Sequence, residues 1–116
     1  MPIVQDYISY TEKWKKEYGE NTVVLMQVGS FFEIYGLRDS QGNISGSNIE
    51  DVATKCDLLI AKKGQKIKNK QVVMAGFGLT QIDKYIKKLQ ELGYTCPIYT
   101  QDTQTKNTNR SLSEIV

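Results

Sequence analysis

The chain has 116 residues, 40% of them hydrophobic, enough apolar material for one compact core. It has no histidine and only two cysteines, Cys56 and Cys96, so a zinc shell and most acid–base or nucleophilic triads cannot be built from it, and both thiols are expected to be buried small apolar residues. The missing histidines favour a binding module over an enzyme; net charge is only +2, which by itself would not suggest nucleic acid, and apolar runs such as Val23-Val24-Leu25-Met26 are too short to span a bilayer.

Residues 3–18 place Val4, Tyr7, Ile8, Thr11, Trp14 and Tyr18 at helical spacing, with Lys13, Lys15, Lys16 and Glu17 on the other face. Pro2 suits the start of this first helix and Gly19 its stop. Thr22–Val28 is apolar and β-branched, as in a strand covered on both faces. Gly29-Ser30 breaks it, and Phe31–Tyr35 is expected to return as an antiparallel partner. The stretch 36–46 reads as an exposed loop with a small hairpin at Ile44.

Ser47-x-x-Glu50 resembles a capping box opening a short second helix, with Ile49, Val52, Ala53 and Cys56 on one face. Leu58–Lys62 is expected to be a strand running into a lysine-rich loop, and Gln71–Phe77 another strand ending in a Gly76-Phe77-Gly78 turn. No Gly-Lys-Ser/Thr follows those glycines, so the turn is not a nucleotide-binding loop. Thr80-x-x-Asp83 opens a third helix with a stripe of Ile82, Tyr85, Ile86, Leu89 and Leu92 and a stop at Gly93. Thr95–Thr100 closes the sheet. Residues 102–116 are polar and without hydrophobic period, which predicts a linker towards the next domain of a longer protein. The sum is an α/β single domain over residues 1–101, with a mixed β-sheet of five to six strands flanked by three helices.

Strand alternation sends Phe31 and Glu33 to one face and Phe32 to the other, so an aromatic ring and a carboxylate stand side by side. If that face is interior, Glu33 is a buried acid that needs a partner; if it faces solvent, Phe31 is a large exposed aromatic. A binding surface resolves both difficulties, because an aromatic wedge can enter and unstack a base step. The bland alternative puts Phe31 in the core and Glu33 in water. Five of the nine residues from Lys62 to Lys70 are lysine, namely Lys62, Lys63, Lys66, Lys68 and Lys70, with no acid among them. Such a stretch is either a solvated loop or a set of phosphate contacts. Two further readings stay open: a metal-dependent nuclease-like domain using Glu33, Asp39, Asp51 or Asp57, and a protein–protein interaction module using the Phe31 surface.

Met26-Gln27-Val28-Gly29-Ser30-Phe31-Phe32-Glu33-Ile34-Tyr35 resembles the apolar strand, glycine turn and Phe-x-Glu motif of the mismatch-binding domain of the MutS family. Further matches follow in the same order as in that family: the N-terminal helix with Pro2 and Tyr7, then Lys62-Lys63-Gly64, then Met74-Ala75-Gly76-Phe77 leading into Tyr85-x-x-Lys88-Leu89. Together they cover residues 2–101. The resemblance implies that Phe31 stacks on a mispaired base from the minor groove, that Glu33 hydrogen-bonds that base, and that Lys62 and Lys63 lie near the DNA backbone. The partner it implies is duplex DNA with mispairs or small loops, in the cytoplasm or a DNA-containing organelle. It implies no cofactor in this chain; ATP, Mg and homodimerisation would belong to a longer parent. Ser30, Phe32, the long stretch 37–48 and the Tyr35-Gly36 pair resemble a divergent branch of the family found in large DNA viruses and coral mitochondria.

Overall fold

The computed structural model describes residues 2–101 and 110–116. In chain order these form α1 (Pro2–Tyr18), β1 (Leu25–Val28), β2 (Phe31–Arg38), β3 (Ile44–Ser45), α2 (Ile49–Lys55), β4 (Ala61–Ile67), β5 (Lys70–Gly78), α3 (Ile82–Glu91), β6 (Pro97–Gln101) and β7 (Arg110–Ile115). The strands make one mixed sheet in the order β4-β5-β2-β1-β6-β7, with β3 beside the far end of β2. The β1–β6 pair is parallel and the other pairs are antiparallel. The fold is therefore the expected α/β class with three helices, and the sheet has seven strands where five to six were expected.

Val23, Val24, Leu25 and Met26 are at most 1% exposed, as a doubly covered central strand requires. α1 lies on the face that carries Tyr35 and Tyr99. Its Tyr7 O–H donates to the Val24 carbonyl at 2.7 Å, its Tyr10 ring stacks on Tyr99 at 4.2 Å, and its Trp14 indole N–H donates to the Tyr99 hydroxyl at 2.9 Å. Tyr18, expected in the buried stripe, is instead exposed at the end of α1 and stacks on Trp14. α2 and α3 cover the opposite face through Ile49, Val52, Ala53 and Leu89, and Tyr85 of α3 stacks on Phe77. Cys56 and Cys96 are free, buried thiols. Among the described residues no helix is long and apolar enough to cross a membrane.

Four local expectations change. The lysine-rich stretch is a β-hairpin rather than a loop: β4 starts at Ala61, and Lys68-Asn69 form its two-residue turn, both at positive φ, the backbone of a type I′ turn. Residues 110–115, expected as part of a linker, form β7, and Cys96 and Val116 exchange backbone hydrogen bonds at 2.7 and 3.0 Å. β4 and β7 are the sheet edges, where polar and charged side chains on both faces hide a strand from any pattern of alternation. The rest of the linker expectation, 102–109, lies outside the described residues. The Ser47–Glu50 capping box does not form. Asn48 takes the cap position and spends its side chain on the Glu20 and Thr22 carbonyls, while Ser47 Oγ accepts from the Ile49 N–H. Finally, a 3₁₀ turn, Leu79–Gln81, precedes α3, so the helix begins at Ile82 rather than at Thr80.

Burial holds several titratable groups in their neutral form. It pushes the phenols of Tyr7, Tyr35, Tyr94 and Tyr99 and the thiol of Cys56 above their ordinary values, and that of Cys96 up to about 12. The unfolded chain releases these protons near 9.0 for cysteine and 10.0 for tyrosine, so above those values it binds fewer protons than the folded chain and gains stability relative to it. Thermal unfolding followed against pH is expected to show full stability below pH 9 and a progressive loss above it. A flat profile to pH 11 would contradict the buried neutral groups.

Candidate functional site

Val28 pairs with Phe31 across the two-residue turn Gly29-Ser30, with φ +60° at Gly29. This is a glycine-first hairpin of the II′ kind, whose twist matches that of its strands. The turn is braced from two sides. The Gly29 N–H donates to Gln101 Oε1 of β6 at 2.6 Å, and the Leu79 N–H donates to the Ser30 carbonyl at 2.9 Å. Gln27 in turn accepts from the Gln101 N–H at 2.8 Å through its side chain, and from Arg110 Nε at 2.5 Å through its carbonyl. Phe31 is thus set on a tied frame, with its side chain 53% exposed.

Glu33 lies on the same face two residues along, as the alternation predicted, yet it is only 7% exposed. This face thus holds a ring in water and, beside it, a buried acid with partners. The Tyr35 O–H donates to Glu33 Oε1, and Lys63 Nζ stands 3.6 Å from the same oxygen. Burial, and then the neighbouring carboxylate, hold the Tyr35 phenol well above its ordinary range, so Tyr35 remains a donor at any physiological pH. One hydrogen bond and one ion pair thus fall on the same oxygen of the buried side chain and offset part of the cost of taking it out of water.

The face is clear because of β5. Phe31 is paired with Gly78 and Glu33 with Gly76, so no β5 side chain stands directly across from the ring or the carboxyl. Gly76 and Gly78, expected as a turn into the third helix, are strand residues whose missing side chains open the site, while Phe77 between them is buried on the other face against Phe32 and Tyr85. The result is an open depression of about 240 Å³ lined by Phe31, Glu33, Leu59, Ala61, Met74 and Gly76. Leu59 was not singled out from the sequence, because within Leu58-Leu59-Ile60-Ala61 it reads as one more core residue; in the structure it is 91% exposed. Keeping a leucine in water forgoes about 2 kcal/mol of burial.

The five lysines do not form one patch. Lys63, in a bulge of β4, joins the Phe31–Glu33 face through its ion pair. Lys62 and Lys66 are paired with Val73 and Gln71, on the opposite face of the strand, and line a second depression with Arg38. Lys68 sits in the hairpin turn and lines a groove with Ile8 and Glu12 of α1, and Lys70 opens β5, half-buried. Another depression, of about 530 Å³, is on the α2–α3 side, lined by Lys55, Lys84, Lys87 and Lys88 around Cys56 and Tyr85. The polar face of α3 was its only sign in the sequence.

Of the acids considered for a metal site, Glu33, Asp39 and Asp51 have local partners. Asp39 Oδ1 accepts from the Gln41 and Asn43 N–H groups at 2.9 Å each, which shapes the loop after β2. Asp51 accepts from the Tyr94 hydroxyl and pairs with Lys55 at 3.1 Å; these two partners, Tyr94 first, hold its carboxyl below the usual range. Among the described residues no three His, Cys, Asp or Glu side chains gather as a metal-ligating group.

A search of curated proteins finds no match to the chain. A family model described as MutS domain I matches residues 2–116, a span that takes in the braced Phe31 turn, the Glu33–Tyr35–Lys63 cluster and β7 alike. The chain belongs to the MutS domain I family.

Proposed function

We propose that the chain inspects duplex DNA by mechanics, with Phe31 as the wedge that tests each base step, Glu33 as the acceptor for a displaced base edge, and Lys63, on the same face, as the backbone contact beside them; Lys62, Lys66, Lys68 and Lys70, placed elsewhere on the β4–β5 hairpin, serve as backbone contacts flanking that face. Domain I of the MutS family is its mismatch-recognition, DNA-binding domain and is not catalytic; the finer roles are our reading. The single observation behind them is the half-exposed Phe31 ring on a braced turn beside a buried carboxylate. A mispaired step unstacks and bends at lower cost than a paired one, so discrimination comes from deformability rather than from a base code. ATP hydrolysis with Mg and homodimerisation belong, in this reading, to a longer protein that carries the domain.

Salt dependence tests it. Binding of a mismatched and a fully paired duplex, measured by fluorescence anisotropy from 20 to 200 mM salt (about one decade), is expected to favour the mismatch at every salt. Each lysine that neutralises a phosphate contributes about 0.9 to the slope of log affinity against log salt. Lys63→Gln is therefore expected to flatten the slope by about 0.9 on both duplexes. Equal affinity for the two duplexes would sink the mismatch reading. A slope indifferent to all five lysine replacements would point to a protein-contact module instead.

A further inference from the structure

We propose that Leu59 is a second apolar contact on mismatched DNA, engaged only once Phe31 has entered a yielding base step and then pressing on the groove wall at the step next to it. The inference rests on the reading of Phe31 above and extends it to a residue outside the Phe-x-Glu motif. Leu58 and Ile60 are half-buried against the core while Leu59 between them is 91% exposed. The segment is not loose: the Leu58 N–H is tied to the Ala53 carbonyl at 2.8 Å at the end of α2, and β4 begins at Ala61. Its exposure is therefore built into the backbone.

Leu59 and Phe31 line the same open depression of about 240 Å³, and both are large apolar side chains in water. Ala61 is paired with Met74, which in turn is paired with Tyr35 of the Phe31–Glu33 face, and Lys63 reaches Glu33 on that face. Leu59 and Ala61 thus form an apolar edge of the depression, and Lys63, further along the same segment, brings a cation to its Glu33. Such an edge matches the chemistry of a DNA groove, with apolar sugar and base edges inside and phosphates along the rim, and leucine is among the side chains that wedge at base steps. A phosphate alone has nothing to offer Leu59, and the MutS domain I match favours a duplex over a protein surface as the occupant.

The test compares Leu59→Ala and Phe31→Ala with the unaltered chain, on mismatched and paired duplexes at one fixed low salt. Thermal unfolding is expected to leave Leu59→Ala unchanged, since the side chain touches little of its own domain. Leu59→Ala is expected to weaken binding to the mismatched duplex about three- to tenfold with little change on the paired one, and Leu59→Met to restore it. Lost discrimination in Phe31→Ala with none in Leu59→Ala overturns this inference and leaves the wedge reading standing. Equal weakening of both duplexes by Leu59→Ala also overturns it. If neither substitution alters discrimination, the DNA reading of the whole depression falls, and this inference with it.

Discussion

Phe31→Ala is expected to abolish most of the preference for mismatched over paired duplex while leaving general DNA affinity largely in place. An aromatic ring stacked on a base is worth roughly 1–3 kcal/mol, so discrimination should fall on the order of 10- to 100-fold. The ring is 53% exposed and faces Gly78 across the sheet, so the fold loses little packing, about 1 kcal/mol or less. Competition binding with both duplexes at one salt concentration, alongside thermal unfolding of the variant, separates the two effects. Equal loss on mismatched and paired DNA would count against the wedge, because the ring would then be a general contact.

The largest expected effect on stability comes from a glycine. A Cβ on Gly76 would lie 2.6 Å from the Phe32 carbonyl oxygen and 3.3 Å from Glu33 Cγ, and the nearer of these is backbone in the middle of the sheet. Gly76→Ala must push β5 away from β2, at a cost of about 1–3 kcal/mol, or roughly 5–15 °C in Tm. The displacement falls on Glu33, so mismatch preference should decline with stability. Gly78→Ala is the control: nothing lies within 4 Å of the added methyl, and its melting temperature is expected to match the parent's. Two variants that melt alike would mean that the β2–β5 approach is looser than the structure has it.

How far this site could be read in advance depended on which neighbours were local. The shared face of Phe31 and Glu33 follows from alternation alone, and the central apolar strand, the three helices and the Gly93 stop follow from periodicity. The burial of Glu33 does not, because Lys63 reaches it from thirty positions away and the residues opposite belong to β5. Gly76 and Gly78 resemble turn residues until the register places them across from Phe31 and Glu33, where an absent side chain is the useful property. β4 and β7 are legible only from their partners' backbone groups, since at the sheet edges lysines and serines satisfy solvent equally well as strand or loop. Register, not composition, also sent Lys62 and Lys66 to one face of β4 and left Lys63, in its bulge, to reach Glu33 on the other.

The hydrogen bonds that anchor Gly29 and Ser30 to β6 and to the start of the 3₁₀ turn have a mechanical corollary. Two bodies pressed together share a deformation in proportion to their compliance, and here the protein contributes a tip seated on a seven-stranded slab. On the proposed reading nearly all of the yielding is left to the nucleic acid, so that a difference in duplex softness reaches the binding equilibrium undiluted. Cutting one tether, for instance by Gln101→Ala, would let the tip recoil and blur that contrast without removing a single atom from the face that meets DNA.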